Sequence, residues 1–492
     1  MPLLPLDIPP GIVKNGTDLQ ARGRWADGNL IRFHEDSVRP IGGWREFKAT
    51  GITNPVRGML GWVENDGSRW VAAGSSDELH VVSTSGTVTD ITPSGFTSGL
   101  VRSAINTGYG GGTYGTGTYG TPRDDATTYD EAAVWSLDTW GEYLVGCCRS
   151  DGKLYEWQLD TGTAAAAISN APTSCVGLVA TEERFLFALG ASGNRRLVAW
   201  CDQEDNTTWT PAATNQAGDF PLQTSGEIMQ GVRTRGQTLI LTNVDAHTAT
   251  FVGGNTVYSF ERIGEACGVI SRLGCCVAEG SAFWMGQRSF FQYTGGGAEP
   301  LESEVADEVF TNMNRAQASL IWSVTNSLFG EIWWFYPSAS SIEVDSYVVY
   351  NYRAGHWATG SIDRTAGFDR GTWRYPMWID STGDLYEQEY AFAHGGETPF
   401  VESGPVLLGA GDRVMVCKNL YPDEETQGEV QGTFKTRFYP NGTEREYGPY
   451  DMTNPTSIRF TGRQVRMRLE STGPQDWRVG TMRIDADAGG ER

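Results

Sequence analysis

The chain repeats a pair of strand-forming segments seven times. In each pair, a short apolar segment is followed by a polar turn and a second segment rich in aromatic residues. The first members recur roughly every 40–55 residues, except where an insertion lengthens the first interval. The pairs begin near Val71 and Leu79, Leu144 and Leu154, Leu186 and Leu197, Ile240 and Val257, Trp284 and Phe290, Trp333 and Val348, and Trp378 and Leu385.

Repeated strands at this period, with almost no helix between them, predict an all-β fold. We expect a β-propeller over residues 57–394, because each blade of a propeller is a small antiparallel sheet of about this length. One of the seven pairs could belong to a neighbouring domain, so six and seven blades both remain open. One short helix is predicted over residues 303–313, where Val305, Val309 and Met313 fall on one stripe.

Two regions lie outside the repeat. Residues 1–56 begin with a proline-rich stretch and continue into paired strand candidates, which predicts an N-terminal extended arm and a hairpin. Residues 395–492 contain further strand candidates, and Val465, Met467 and Leu469 alternate with arginines as in a half-buried strand. We therefore expect an added C-terminal domain that resembles a β-sandwich.

The charge balance argues against a nucleic-acid binder. The 492 residues include 60 acidic and 38 basic side chains, giving a formal net charge of −22. Proteins that grip DNA usually replace its counterions with Lys and Arg, so this chain is expected to repel a duplex. No segment approaches the ~20 apolar residues of a membrane span, and the N-terminus lacks the features of a signal peptide.

The candidates for metal and redox chemistry are weak. No two of the eight cysteines form a C-x-x-C motif, and we expect buried, reduced thiols. The five histidines are scattered without the spacing of a metal site. We predict no cofactor and no metal. The residues concerned are Cys147, Cys148, Cys175, Cys201, Cys267, Cys275, Cys276 and Cys417, and His34, His80, His247, His356 and His394.

A catalytic site is not predicted. The chain has no G-x-S-x-G, H-E-x-x-H or phosphate-binding loop. Its turns at residues 65–70 and 369–373 have the wrong spacing for the Asp-containing turns of sialidases. Glu331 precedes the aromatic run 332–336, which could form a platform for a sugar, but tryptophans in propeller strands are more often core. No catalytic residue is assigned, and the chain is expected to be structural and not an enzyme.

The insertion, residues 101–131, is the first candidate for an assembly contact. It is rich in glycine and poor in aliphatic residues, so it cannot form a core of its own. Its tyrosines Tyr109, Tyr114 and Tyr119 recur every five residues. A solvated surface loop is the simpler interpretation. The sharper one is a loop packed on a neighbouring subunit, with these three tyrosines as interface residues.

Several sequence strings, taken in their order and spacing, resemble a family of tail proteins from short-tailed bacteriophages. This family is called the tail nozzle, tail hub or packaged-DNA stabilisation protein. The resemblance covers about residues 20–370. The strings that carry it are residues 25–33 with 39–44, the Gly/Tyr insertion, residues 198–211 and 331–337, and residues 347–351 followed by 356–360.

The resemblance implies a non-catalytic propeller protein that assembles as a ring in the virion tail after synthesis in the bacterial cytoplasm. Implied partners are further copies in a homohexamer, the adaptor (head-to-tail connector) beneath the portal, and tail fibre or spike proteins. Double-stranded DNA would pass through the ring without sequence-specific binding. The ring would retain the packaged genome and form the channel for its ejection. No point motif of the family allows a functional residue to be transferred.

Two other functions remain open on sequence grounds. The first is a carbohydrate-binding or depolymerising propeller that uses exposed aromatic residues and a pair of carboxylates. The second is a receptor-binding fibre, although the chain shows neither coiled coil nor β-helix repeats. In a ring, we expect the N-terminal arm and the insertion to contact neighbouring subunits.

Overall fold

A computed structural model of the chain describes residues 3–17, 19–106, 128–254, 256–407, 414–422, 428–439 and 442–488. Within these ranges nearly all regular structure is antiparallel strand, which confirms the all-β class.

The predicted helix is present but shorter than the predicted range 303–313. It spans Ala306–Thr311, where Val309 is buried. The amide of Asp307 donates to Oδ1 of Asn15, so a distant side chain caps the helix. Two 3₁₀ helices cover Ala191–Gly193 and Arg315–Leu320.

Seven four-stranded antiparallel sheets follow one another along the chain, and we number them as blades 1 to 7. Blades 1 to 3 comprise Met59–Val63, Arg69–Gly74, Leu79–Ser83 and Val88–Asp90; Trp135–Trp140, Tyr143–Cys148, Leu154–Trp157 and Ala166–Ala167; and Gly177–Ala180, Leu186–Leu189, Leu197–Trp200 and Gly218–Pro221. Blades 4 and 5 comprise Ile228–Thr234, Gln237–Thr242, Ala246–Gly253 and Val257–Gly264; and Cys275–Ala278, Ser281–Met285, Phe290–Tyr293 and Ala298–Leu301. Blades 6 and 7 comprise Trp322–Asn326, Glu331–Tyr336, Ser346–Asn351 and His356–Ser361; and Ala366–Phe368, Met377–Ile379, Asp384–Gln388 and Trp44–Ala49.

The seven sheets form a closed ring. The first strand of each blade contacts the first strand of the next, and the first strand of blade 7 contacts that of blade 1. Side chains reinforce these contacts. Ser136 of blade 2 exchanges hydrogen bonds of 2.8 and 3.2 Å with the backbone of Leu178 in blade 3. Gln230 of blade 4 does the same with Cys275 of blade 5, at 2.8 and 3.0 Å. The structure therefore confirms the β-propeller and has seven blades.

The predicted strand pairs match the second and third strands of six blades. In blade 4 the prediction missed one strand: Ile240 lies in the second strand, but Val257 begins the fourth. The missed third strand, Ala246–Gly253, is rich in Ala and Thr and carries its only aromatic residue near its end. It therefore lacks the aromatic-rich pattern that marks the third strands of most other blades.

The N-terminal segment belongs to the propeller as well as to the arm. The prediction placed residues 1–56 outside the repeat, but Trp44–Ala49 is the outer strand of blade 7. It pairs with Asp384–Gln388, with Trp44 opposite Gln388 and Ala49 opposite Asp384. The boundary at residue 57 is thus corrected. The propeller closes because a strand from the start of the chain completes the sheet formed at its end.

The C-terminal residues form two further antiparallel sheets, and both contain a strand from the N-terminus. Phe434 of one sheet stacks on Phe460 of the other, with ring centroids 4.9 Å apart, as expected for a sandwich-like core. The first sheet contains, in order, Leu3–Leu6, Met482–Ala488, Met415–Tyr421 and Thr456–Gly462. The second contains Trp25–Asn29, Phe400–Ser403, Gln464–Ser471, Val430–Arg437 and Arg445–Asp451, with Val406–Leu407 paired to Gln464–Ser471.

The predicted extended arm is therefore paired within its own subunit over Leu3–Leu6. The predicted hairpin also forms, as Ile31–His34 paired with Ser37–Pro40. These two elements and Trp44–Ala49 connect the propeller to the C-terminal sheets. Strand pairing of this kind cannot be read from a proline-rich sequence, because the partner strands lie more than 300 residues away.

The closure of blade 7 gives a testable prediction. A Cβ at Gly43 would lie 2.3 Å from the carbonyl oxygen and 2.4 Å from the amide nitrogen of Ala393, which are backbone atoms that cannot rotate away. We expect Gly43→Ala to destabilise the protein by about 1–3 kcal/mol, the usual cost of overpacking. Thermal unfolding measures this loss. The matched control is Gly296→Ala, because a Cβ there meets nothing within 4 Å. Equal melting temperatures for the two variants would contradict the closure.

Candidate functional site

The predicted interface tyrosines, Tyr109, Tyr114 and Tyr119, lie outside the described residues. The structure does describe the base of the insertion, residues 100–106 and 128–133, which we call the stem. Its strands Ala104–Asn106 and Thr128–Asp130 form a short antiparallel ladder. The stem is the part of the insertion whose contacts with the propeller the structure describes.

The stem crosses one end of the propeller axis. It connects blade 1 to blade 2 in sequence, yet it contacts the 3₁₀ segment that leads into blade 6. The amide of Ser103 donates to the Gln317 side chain at 2.9 Å, and the Gln317 amide group donates back to the Ser103 carbonyl at 2.9 Å. The backbone amide of Ala132 donates to the Ser319 hydroxyl at 3.3 Å. Because blades 2 and 6 lie across the ring, these bonds span its opening, which we call the mouth.

An arginine–glutamate–arginine group fixes the first end of the stem. Arg57, which precedes blade 1, donates two hydrogen bonds of 2.7 Å to the carboxylate of Glu343 in blade 6. Arg102 of the stem lies 3.4 Å from the same carboxylate. Burial tends to raise the pKa of Glu343, but the two arginines outweigh it and hold that pKa below its ordinary value. We call this group the Glu343 triad.

A second group of the same composition fixes the other end. Glu131 of the stem accepts from Arg272, which precedes blade 5, at 2.7 Å and pairs with Arg149 of blade 2 at 2.8 Å. Arg272 also donates to the carbonyl of Ile228 in blade 4 at 3.1 Å. Burial opposes ionisation of Glu131, but Arg272 and Arg149 lower its pKa. This Glu131 triad and the Glu343 triad hold the stem across the mouth.

A large cavity lies elsewhere, between the N-terminal segment and blade 6. It has a volume of about 800 Å³, and its lining includes Arg24, His34, Glu304, Arg353 and His356. We call it the groove. Arg24 forms a two-point hydrogen bond with Glu304, at 2.8 and 3.1 Å. Burial lowers the pKa of His356, so its imidazole is neutral at pH 7. The groove can accommodate a polar ligand of small or moderate size.

A buried charge cluster lies next to the groove. Arg32 of the hairpin donates to both carboxylate oxygens of Glu331 at 2.9 Å and to Glu389 at 2.5 and 2.9 Å, and it stacks on Phe329. Asn326 donates to Glu389 at 2.8 Å. Burial favours the neutral form of Arg32, but the two carboxylates raise its pKa. The cluster attaches the hairpin to blades 6 and 7.

This cluster also decides the role of Glu331. Its side chain is 3% exposed and is occupied by Arg32. The aromatic run that follows it, residues 332–336, is buried throughout. The run is therefore core of the propeller and offers no platform for a sugar.

Over the described residues, no group of three or more His, Cys, Asp or Glu side chains could hold a metal ion. All eight cysteines are free, and seven are buried. Burial raises the pKa of Cys175 to about 12 and that of Cys267 to about 11, which keeps these thiols protonated. No helix in the described ranges is long and apolar enough to cross a membrane.

Comparison with known proteins carries no argument about the site. No protein-family model matches the chain, and no curated protein matches it in sequence. Among solved structures, virginiamycin B lyase from Staphylococcus aureus is 8% identical with a TM-score of 0.45, over 70% of this chain and 98% of its own. The N-terminal domain of Nup159 is 11% identical with a TM-score of 0.39, over 74% and 98%. An exo-β-1,3-galactanase from Phanerochaete chrysosporium is 9% identical with a TM-score of 0.31, over 91% and 100%.

The closed ring of seven four-stranded sheets by itself makes the chain a β-propeller protein. Similarity at this level of identity and superposition carries no argument about activity, and the lyase and the galactanase do not make this chain an enzyme. The function must be argued from the mouth, the groove and the sequence strings.

The buried cluster at Arg32 gives a second prediction. Arg32→Met removes the cation that pairs with two buried carboxylates and should destabilise the protein by about 3–5 kcal/mol, since the remaining charges are uncompensated. Thermal or denaturant unfolding at pH 7 measures the loss. Arg45→Met is the control, because the Arg45–Glu387 pair is half exposed at Arg45 and should matter by at most about 1 kcal/mol. A loss at Arg32 no larger than at Arg45 would show that the cluster does not attach the hairpin.

The same cluster predicts a pH dependence. Burial tends to raise the pKa of Glu389, but Arg32, the Gly42 amide and Asn326 lower it below the ordinary value. A carboxyl whose pKa is lower in the folded state stabilises the fold above about pH 4.3, and this contribution disappears as the pH falls through the folded-state pKa. We expect the wild type to lose more stability than Glu389→Gln between about pH 5 and 3. Parallel unfolding curves for the two proteins over that range would be the contrary result.

Proposed function

We propose that this protein is a structural subunit of a ring-shaped nozzle at the tail end of a short-tailed phage. In this role it docks under the adaptor and portal, retains packaged DNA and forms the wall of the channel for ejection. The observation that supports it most is the stem, which is fixed across the propeller mouth by two arginine–glutamate–arginine groups. The insertion therefore leaves the propeller from a rigid base at a defined position, as an assembly contact requires.

The stem also bears on where a channel could run. Hydrogen bonds from Ser103 to the segment that leads into blade 6 span the opening of the propeller. A DNA duplex cannot follow that axis, so a passage for DNA must lie between subunits of a ring. Head-to-tail contacts that close on themselves generate such a ring.

The charge of the chain suits a passage that does not bind DNA. Each subunit contributes a formal −22, and a duplex carries about one negative charge per 1.7 Å. At physiological salt the repulsion reaches about 8 Å, so it acts between the wall and the nearest phosphates. A repelled duplex can slide without being retained along its path.

The connection between the domains suits a wall that bears load. Strands Leu3–Leu6, Trp25–Asn29 and Trp44–Ala49 join the N-terminus to both C-terminal sheets and to blade 7. Pulling the C-terminal domain away from the propeller would require breaking these sheets. A subunit built in this way transmits force without a hinge between its domains.

The groove favours a second candidate, in which the protein binds a carbohydrate on the host surface. Its charged and imidazole side chains, with Phe33 beside His356 at 5.5 Å, could hold a polar saccharide. Incubation of the purified protein with host polysaccharides separates the two functions. Binding or cleavage that is lost in Arg353→Ala would support the carbohydrate role.

The assembly role predicts the result of shortening the insertion. Asn106 and Thr128 lie opposite each other in the stem ladder, so residues 107–127 can be replaced by an Asn-Gly turn while both triads are kept. We expect the shortened protein to have the melting temperature of the wild type and to lose the ability to form rings. Mass photometry of the full-length chain, alone and with the adaptor from the same phage, measures assembly.

Two outcomes of that experiment count against the proposal. Intact rings from the shortened protein would remove the insertion from the assembly contacts. A full-length chain that remains a single subunit with the adaptor present would contradict the ring itself. Glu131→Gln in the full-length chain serves as a control for the stem, because it should lower stability without shortening the insertion.

A further inference from the structure

The mouth has an excess of positive charge in a strongly acidic protein. Each triad joins two arginines to one glutamate, so each has a formal surplus of one positive charge. The surplus is local, because the chain as a whole carries −22. Arg57 and Arg272 are almost fully buried, with side chains 2% and 4% exposed. Buried guanidinium groups are stable only when acceptors satisfy their donors.

One N–H donor group in the Glu131 triad, Nη2 of Arg272, has no acceptor among the described residues. Nε and Nη1 of the same arginine are hydrogen bonded, and Nη2 is buried. An unsatisfied donor of a buried charged group costs free energy. A ligand with oxygen acceptors would satisfy this donor.

Two further arginines lie near this donor. The Arg149 side chain is 21% exposed and shares Glu131 with Arg272. Arg195 is exposed, and its carbonyl accepts from the amide of Ile228 at 2.9 Å, while the Ile228 carbonyl accepts from Arg272. Burial lowers the pKa of Arg149, and the charges of Arg272 and Arg195 lower it further, whereas Glu131 and Glu227 raise it. Three arginines thus act on the same space with two carboxylates. Their number and proximity leave a net positive charge beside the unpaired donor.

We propose that the mouth binds an oxyanion, a carboxylate or phosphate group, between Arg149, Arg195 and Arg272. The planar guanidinium fork matches both groups, since each presents paired oxygens to parallel N–H donors. The bound group would satisfy Nη2 of Arg272 and neutralise the surplus charge of the Glu131 triad. The site stands on the propeller alone and does not depend on the nozzle role.

The bound group could come from a phosphate-bearing ligand or from an acidic side chain of a protein segment. In both cases the recognised atoms are paired oxygens with negative charge. Because Glu131 of the stem shares Arg149 and Arg272 with the proposed anion, an occupied site would act directly on the base of the insertion. Ligand binding and the position of the insertion are therefore coupled through one residue.

The test is isothermal titration of the full chain with two probes, sodium pyrophosphate and a capped octaglutamate peptide, at about 0.1 M NaCl. We expect at least one probe to bind with one site per chain. Arg149→Gln should weaken its affinity about tenfold or more, because a charge-assisted donor pair is lost. Arg195→Gln should weaken it about fivefold and leaves the triad itself intact. The control Arg262→Gln removes a half-exposed arginine of blade 4 that belongs to neither the mouth nor the groove, and it should leave the affinity unchanged.

The outcomes separate the two sources of the anion. Binding of pyrophosphate alone identifies a phosphate ligand, and binding of the peptide alone identifies an acidic segment. Wild-type affinity in both Arg149→Gln and Arg195→Gln would overturn the site, as would the absence of heat from both probes. Should Arg149→Gln unfold, as judged by its melting curve, the surface variant Arg195→Gln decides by itself.

Discussion

The pairing of Trp44–Ala49 with Asp384–Gln388 is the contact on which the architecture depends. Six blades built from consecutive strands would leave the seventh with three strands and an open edge. The strand from the N-terminus completes that sheet and converts a row of sheets into a ring. Closure also forces residues 1–43 to lie near the end of the propeller, where two more strands enter the C-terminal sheets. One pairing thus fixes the propeller and the position of the second domain.

Closure of the ring forms the mouth, and the mouth brings together the arginines and glutamates that hold the stem. Only a closed ring brings Arg57, Glu343 and Arg272 around one opening, although they come from three different blades. The stem supplies Arg102 and Glu131 to complete the two triads across it. The surplus charge, the unpaired donor of Arg272 and the fixed base of the insertion are consequences of this one arrangement. Propeller closure and the proposed assembly role are therefore linked physically.

The sequence predicts the repeating part of the fold well, because each blade is local. Apolar and aromatic strand pairs such as Trp333 and Val348, or Trp378 and Leu385, lie in one sheet and are close in sequence. Their pattern can therefore be recognised from the sequence alone. Blade count stayed open between six and seven because one of the seven strand pairs could have belonged to a neighbouring domain. The strand that completes the seventh sheet, Trp44–Ala49, lies more than 300 residues from its partner strand. Long-range strand pairing leaves no periodicity in a single sequence.

The mouth could not be predicted for a related reason. Glu131 and Arg272 are 141 positions apart, and the chain has 38 basic and 60 acidic residues from which to choose. Charge pairs carry no local pattern, whereas the insertion does, since its composition departs from the rest of the chain. Composition therefore distinguishes the insertion, and only the structure shows which residues at its base are held and by which blades. The groove was missed because its walls come from six separate segments.

The most direct test of the account is a single-particle electron cryomicroscopy map of the full-length protein mixed with the adaptor that the proposed function assigns to it. The account predicts a closed ring of subunits around a central passage, with each propeller axis covered by its own stem and the passage running between subunits. A map that shows separate subunits, or a duplex-sized opening along the propeller axis itself, would contradict it.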